Sequence, residues 1–492
     1  MTAMRPTLKL LDDALVERII AGGFELLQDP GVKVHNRQGL ALLADAGADV
    51  DLATGVAHIP SRLVEQSLRA APSSFALYAA DGTLAVRYAE DHVHFDPGSS
   101  AVNILDAGTG QHRRPTTADY VRYAQLTQVL PAYDAISTAF VCSDVVEGIG
   151  DLYRLYLSLL YSTKPVVTGA FGIDTLHVMV YLLVAEAGSL EALAARPRAV
   201  FDVCPSPPLL WSDLACQNLI DLARYAIPAQ LVSMPLAGST APVTLVGALV
   251  QHTAESMSGV TIHQLANPGA PLVWGGAPAI TDMRFGSTPM GAIETAMIDA
   301  AYAQVGQRLG LPTHAYLGST DGKVIDAQAG FESGMSMLVG ALAGINMISG
   351  AGMLDFLRAQ SLEKLVVDAE IILMVKRLLR GVDSPDQDLG ISLIRLVGHH
   401  GQFLGQKHTR DWFAHQQHIP SAVMDRGSLM AWQTSGAQDT AARARDRVRG
   451  LLASYQPRPL PGEVRRALRQ ITQRAARQFG MEHLPPLPEG AD

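Results

Sequence analysis

The chain has 492 residues, 48% hydrophobic and 17% charged, which is enough to bury a large core and too long for one small domain. A net charge of -9 with no basic run before the C-terminal segment removes the electrostatic case for binding nucleic acid or an acidic membrane, and leaves small molecules or other proteins as partners. Cys142, Cys204 and Cys216 show neither CxxC nor zinc-like spacing, which excludes a disulfide scaffold and, with no signal-peptide or membrane-spanning pattern, fits a soluble cytoplasmic protein.

Residues 1–75 read as an N-terminal helical extension. LDDALVERIIAGGFELL carries Leu15, Ile19 and Leu26 at helical spacing, NRQGLALLADAGADVD ends a helix at Gly47, and HIPSRLVEQSLRAAP stops at Pro72. From Phe75 the residues alternate around Asp81-Gly82, the pattern of a hairpin. VNILDAGTGQH, residues 102–112, has the Asp-x-Gly-x-Gly of an adenosylmethionine loop. His112 stands where a third glycine is needed, however, and Pro115 breaks the chain before a helix capped at Thr116 or Thr117, so a tight turn is expected. Walker, GxSxG and GxGxxG motifs are missing from the sequence.

A unit then recurs in which a short apolar run ending in Gly, Pro, Ser or Asp precedes a helical stretch. The eight runs are HVHFDPGSS, AISTAFVCSD, PVVTGAFG, AVFDVCPSPP, AQLVSMPLAG, APLVWGGAPAITD, THAYLGSTD and INMISGAG. Strands alternating with helices imply a parallel sheet, and eight units imply closure, so residues 76–383 are expected to form an α/β fold of the (β/α)8 TIM-barrel type. The alternative is an open doubly wound sheet; in both, ligands bind at the carboxyl ends of the strands. Asp321 and Asp326 fall on the loop after the seventh run, and Gln328 and Glu332 share one face of the helix that follows.

Residues 384–492 read as a C-terminal helical region whose last dozen residues are mobile. His399, His400, His408, His415 and His418 cluster there without HExxH or an acid at ligand spacing, so an exposed helix is expected rather than a metal site. Phe95, Phe171, Trp211, Trp274 and Phe285 fall at predicted strand ends. Two or three of these rings meeting near Asp96, Asp321 or Glu332 would cage a quaternary ammonium, each contributing ~0.5–2 kcal/mol when desolvated.

Several stretches together resemble the trimethylamine methyltransferase family of corrinoid-dependent methylamine and betaine methyltransferases. They are LLQDPGVKVHNRQGLALLADAGADVD, HIPSRLVEQSLRAAP, LDAGTGQHRRPTTADY, STDGKVIDAQAGFE, GINMISGAGMLD and GQFLGQKHTRDWFAHQQHIPSAVMDRG, in that order over about residues 10–435. The resemblance implies a barrel that moves a methyl group from an amine to the cobalt of a corrinoid (a cobalamin-type cofactor) carried by a separate small protein, and a chain that forms a homo-oligomer. The archaeal trimethylamine enzymes of the family carry pyrrolysine, whereas this sequence holds only the standard residues. That departure points to a quaternary amine such as glycine betaine.

On this resemblance Asp321, Asp326 and Glu332 would offset the substrate's charge, with Glu332 and Asp321 nearest the reaction, and Gln328 would orient its polar tail. Phe95, Asp96, Phe171, Trp211 and Trp274 are candidate substrate-binding residues by their strand-end positions alone, because the family's substrate contacts vary and the resemblance carries over no exact cage. Gly169, Gly275, Gly318, Gly350 and Gly352 would leave room for the flat macrocycle. A betaine- or corrinoid-binding barrel without turnover and an adenosylmethionine-dependent methyltransferase are the rival readings.

Overall fold

Each apolar run forms a short strand. They are β1 (His94–Pro97), β2 (Ile136–Ser137), β3 (Val166–Thr168), β4 (Ala199–Val203), β5 (Ala229–Ser233), β6 (Leu272–Gly276), β7 (His314–Ala315) and β8 (Met347–Ala351). The structure, a computed structural model, describes residues 4–383 and 388–487. A helix follows every strand: α1 (Thr117–Val129), α2 (Gly150–Tyr161), α3 (Ile173–Ala187), α4 (Asp213–Tyr225), α5 (Leu245–Ala266), α6 (Ile293–Arg308), α7 (Ala327–Leu342) and α8 (Leu362–Leu379). Polar side chains start several of them. Asp326 caps α7 through Ala329 N–H, Ser361 caps α8 through Lys364 N–H, and Thr116 with Asp119 forms a capping box on α1.

Strands β2 to β6 pair in parallel, as do β7 with β8 and β8 with β1. Backbone hydrogen bonds join the other two seams, from Trp274 N–H to the Pro312 carbonyl (2.8 Å) and from Asp134 N–H to the Phe95 carbonyl (2.8 Å). Every strand therefore has two neighbours, and the sheet closes into a (β/α)8 barrel.

The hairpin of Phe75–Tyr78 and Leu84–Tyr88 plugs one end. Its Leu77, Val86 and Tyr88 pack with Ala135, Val167, Val200, Val273 and Met347, which identifies those five as inward-facing positions at the bottom of the barrel. Asn103–Leu105 pairs antiparallel with His112–Arg113, and Asp106 Oδ1 accepts from Gly108 and Thr109 N–H at 3.0 and 2.9 Å, so the DAGTG stretch is a tight turn.

The N-terminal part is only partly helical. Helices Asp13–Gln28 and Ser61–Ala70 pack on α5, but Val32–Val34, Asp49–Asp51 and Val56–His58 form a small sheet that Leu210–Trp211 joins at its edge. At the other end, helix Thr440–Ser454 packs on α8 and Gly462–Gln478 on α3. Of the terminal dozen residues expected to be mobile, Met481, Leu484 and Leu487 pack against the core, and residues 488–492 lie outside the described residues. The histidine cluster centres on helix Lys407–Gln416, which buries no residue. Among the described residues no helix is long and apolar enough to cross a membrane.

Candidate active site at the barrel mouth

Strand parity decides what faces the barrel interior. Val200 packs against the bottom plug, so Asp202, two residues on, points the same way one layer higher. The same alternation aims Gly275 inward from Val273 and Ser349 inward from Met347, and leaves Trp274 facing outward. Above this layer lies a cavity of about 410 Å3 at the carboxyl ends of the strands. Its walls include Ser99 and Ser100 after β1, Phe171 after β3, Asp202 on β4, Met234 after β5 and Tyr316 after β7.

Asp202 is the acid of this cavity, and its carboxylate is held on two sides. Tyr316 O–H donates to Oδ2 at 2.6 Å, and Gln230 Nε2 donates to Oδ1 at 2.6 Å. Ser99 Oγ lies 2.9 Å from the Tyr316 hydroxyl. Burial pushes the Asp202 carboxyl up to about 6, against the opposing pull of the Tyr316 and Gln230 hydrogen bonds and the Arg154 charge. Lower in the barrel, Ser349 O–H donates to Asp96 Oδ1 at 2.5 Å, and His314 Nε2 lies 3.0 Å from Ser349 Oγ. Burial raises the Asp96 carboxyl well above its ordinary value, and burial pushes the His314 imidazole down to about 3, so the imidazole is neutral near pH 7.

A cationic ligand in this cavity is expected to bind best above pH 6. Below that pH Asp202 becomes neutral, and affinity falls by about tenfold per pH unit. Calorimetric titration of tetramethylammonium, which does not itself titrate, between pH 5 and 8 measures this; an affinity flat with pH contradicts it. Asp321 is also pushed up to about 6 by burial, but it lies outside this lining, and Asp202→Asn distinguishes the two.

The residues singled out from the sequence fall into three places. Phe171 and Gly169 line the cavity. Asp321, Gln328 and Glu332 form a second cluster, in the loop after β7 and the first turns of α7. Glu332 Oε2 accepts from the Thr320 hydroxyl and from Asp321 N–H (2.8 Å), and Oε1 accepts from Gln328 Nε2 (2.8 Å). Asp321 Oδ1 accepts Gly291 N–H at 3.0 Å, which ties this loop to the one after β6. Glu332→Ala is expected to lower stability by about 1–3 kcal/mol, because the Thr320 hydroxyl and Asp321 amide lose their acceptor. An unchanged denaturation midpoint contradicts that.

The remainder lies within the protein body or on its exterior. Asp326 is the α7 cap. Phe95 is buried among the outer helices, beneath Lys376 of α8. Trp211 is buried in the core with Nε1 donating to Ser258 Oγ at 2.9 Å, and Trp274 packs edge-on to His252 between barrel and helices. The expected multi-ring cage is thus not assembled, and Phe285 stands exposed on the β6 loop. At Gly318 and Gly352 φ is +98° and +80°, and a Cβ would strike Met337 and Gln360; at Gly275 and Gly350 it would strike the Leu231 and Leu317 carbonyls. These four glycines serve close backbone packing. Asp202 and Tyr316 went unremarked in the sequence, although an acid near the end of an apolar barrel strand is a signal for them.

The whole chain has relatives. Its residues 1–480 match the family described as trimethylamine methyltransferase (MTTB). It is 30% identical over 458 residues to the trimethylamine methyltransferase MttB of Desulfitobacterium hafniense (strain DSM 10664 / DCB-2), covering 93% of this chain and 92% of that one. It is 32% identical over 466 residues to MttB2 of Methanosarcina mazei, covering 92% of each, and 28% identical over 484 residues to the glycine betaine methyltransferase of Desulfitobacterium hafniense (strain Y51), covering 98% and 100%. The crystal structure of the Methanosarcina barkeri monomethylamine methyltransferase (MtmB) is similar in fold, with a TM-score of 0.50 at 12% identity over 96% of this chain and 89% of that one. With the family matched over residues 1–480 and a barrel cavity built around one half-buried acid, the chain belongs to the trimethylamine methyltransferase (MTTB) family.

Proposed function

We propose that the chain is a cytoplasmic methyltransferase that takes a methyl group from a quaternary amine of the glycine betaine kind and passes it to the cobalt of a corrinoid carried by a partner protein. The observation that carries this is Asp202, an acid aimed into a largely apolar cavity beside the Phe171 and Tyr316 rings. The relatives named for trimethylamine and for glycine betaine favour a methylated nitrogen as the donor.

The residues fit an acceptor that comes from outside. No histidine is among those lining the cavity, so its walls offer no imidazole ligand, and the lower end is plugged by the hairpin. A substrate methyl can therefore face only the open rim. Met234, Val243, Met283, Phe285 and Phe331 stand exposed on the loops after β5 and β6 and at the start of α7, an apolar patch suited to a docking surface. Bound there, a corrinoid would supply a reduced, nucleophilic cobalt as the methyl acceptor, and a quaternary donor would keep the C–N electron pair on nitrogen and leave as a neutral tertiary amine that needs no proton.

The protein's work is then to hold and aim. Asp202 faces the ammonium but shares its charge with Tyr316 and Gln230, which moderates its grip on a cation whose charge disperses as the C–N bond breaks. Gly169 keeps the wall beside it low, and the Glu332–Asp321 cluster positions the β7 loop. Self-association belongs to the same reading. Helix Ile391–Val397 buries none of its residues, and Leu389, Ile394 and Leu396 are exposed, a surface that a second copy would cover.

The test is a visible-spectrum assay with reduced cob(I)alamin and, separately, a cognate corrinoid protein, against glycine betaine, carnitine, proline betaine, choline and trimethylamine. Methylated cobalt with one quaternary amine is expected. Silence across the panel contradicts the proposal and favours a binding protein without turnover.

A further inference from the structure

Arg154, on α2, is fully buried. Its Nη1 donates to the Thr138 carbonyl at 2.7 Å and toward Ser100 Oγ at 3.4 Å, while Nε and Nη2 have no partner. Among the described residues no carboxylate forms an ion pair with it. Asp151, which lies within its electrostatic reach, is occupied elsewhere: Oδ1 accepts Leu152 N–H at 2.7 Å, and Oδ2 accepts Phe171 N–H at 2.6 Å and the Thr175 hydroxyl at 2.5 Å. A buried guanidinium left with one edge bare is costly, and such edges are ordinarily matched to an acceptor.

The guanidinium lies directly behind the cavity wall. Ser100 and Phe171, both lining residues, touch Arg154; its guanidinium carbon lies 4.6 Å from the centre of the Phe171 ring. Its charge also reaches Tyr316 and Asp202. The one cavity thus has an acid in one wall and an unpaired cation behind another. The Nε/Nη2 edge is one a carboxylate takes side-on with two parallel hydrogen bonds. Phe171, 49% exposed, is the side chain over the guanidinium that can yield to admit it.

We propose that Arg154 binds the carboxylate of the methyl donor, so that the site selects N-methylated amino acids over amino alcohols and simple alkylammonium ions. This rests on the quaternary-amine reading above. Asp202 and Arg154 then divide a zwitterion between them, the ammonium toward Asp202 and the carboxylate toward Arg154. A ligand with a hydroxyl in place of the carboxylate leaves the guanidinium bare, and loses affinity for that reason.

The test measures dissociation constants for glycine betaine and choline with the full-length protein by calorimetry, for wild type, Arg154→Gln and Arg154→Lys. Wild type is expected to bind glycine betaine at least tenfold more tightly than choline. Arg154→Gln should weaken glycine betaine by about 30- to 100-fold and leave choline unchanged or tighter. Arg154→Lys keeps the charge and loses the fork, and should weaken glycine betaine by about tenfold, so it keeps the test alive if the Gln variant does not fold. Equal wild-type affinity for the two ligands, or equal losses for both in either variant, overturns the role of Arg154 and leaves the quaternary-amine reading intact. Binding of neither ligand by wild type overturns that reading, and the role of Arg154 with it.

Discussion

Asp202→Asn is expected to reduce methyl transfer from a quaternary amine by about 100-fold or more while leaving the protein at least as stable as the wild type. The loss follows from removing the charge that faces the ammonium, in a cavity where water screens it poorly. The stability follows from linkage. The Asp202 carboxyl titrates at about 6 in the folded chain, from a reference value of 3.8. Between those values the folded state holds the proton that the unfolded state has released, so stability falls as pH rises through the window. Above it the ionised acid costs up to about 3 kcal/mol. Asparagine lacks that penalty and keeps an oxygen for the Tyr316 hydroxyl. Thermal melting of both proteins at pH 5 and pH 8, beside rates measured at pH 8, checks the pair of effects. A variant that is inactive and also strongly destabilised would place Asp202 among structural acids.

The largest effect on stability is expected at Lys364. Its Nζ is buried, 2.6 Å from Asp368 Oδ2 and 2.7 Å from Ser333 Oγ, and Asp368 Oδ2 also accepts Gly352 N–H at 2.7 Å. The pair thus ties α8 to α7 and to the turn after β8. Lys364→Met leaves the Asp368 carboxylate buried without a cation, at a cost of about 3–5 kcal/mol. Adding Asp368→Asn removes the stranded charge and keeps an acceptor for Gly352, so the double variant should recover more than half of that loss. Denaturant titration at fixed pH reads both; a single-variant loss under about 1 kcal/mol contradicts the account.

What was legible from the sequence follows the length of each signal. Eight apolar runs, most of them followed by ten or more residues of helical character, were enough for the barrel, because the pattern repeats and each repeat reinforces the others. The N-terminal sheet was hidden because Val32–Val34, Asp49–Asp51 and Val56–His58 have three residues each, too few to show a period. The site was hidden by parity. A run such as APLVWGG shows that Trp274 is near a strand end but not on which side, and only the packing of Val273 against the plug places the ring outside. Asp202 and Gln230 each stand one residue away from large apolar neighbours and face the other way. Arg154 was further out of reach, since its helix GDLYRLYLSLLY is buried at every residue and its one cation gives no sign of which wall it meets.

The measurement that tests the central claim most directly is a single turnover with methyl-13C glycine betaine and reduced corrinoid, followed by NMR with wild type and Asp202→Asn side by side. The account predicts that the wild type moves the label from nitrogen to cobalt with dimethylglycine as the other product, and that the variant does so about 100-fold more slowly. Transfer at the same rate by both proteins would contradict it, because the methyl group would then be leaving from a site that does not depend on the acid at the barrel mouth.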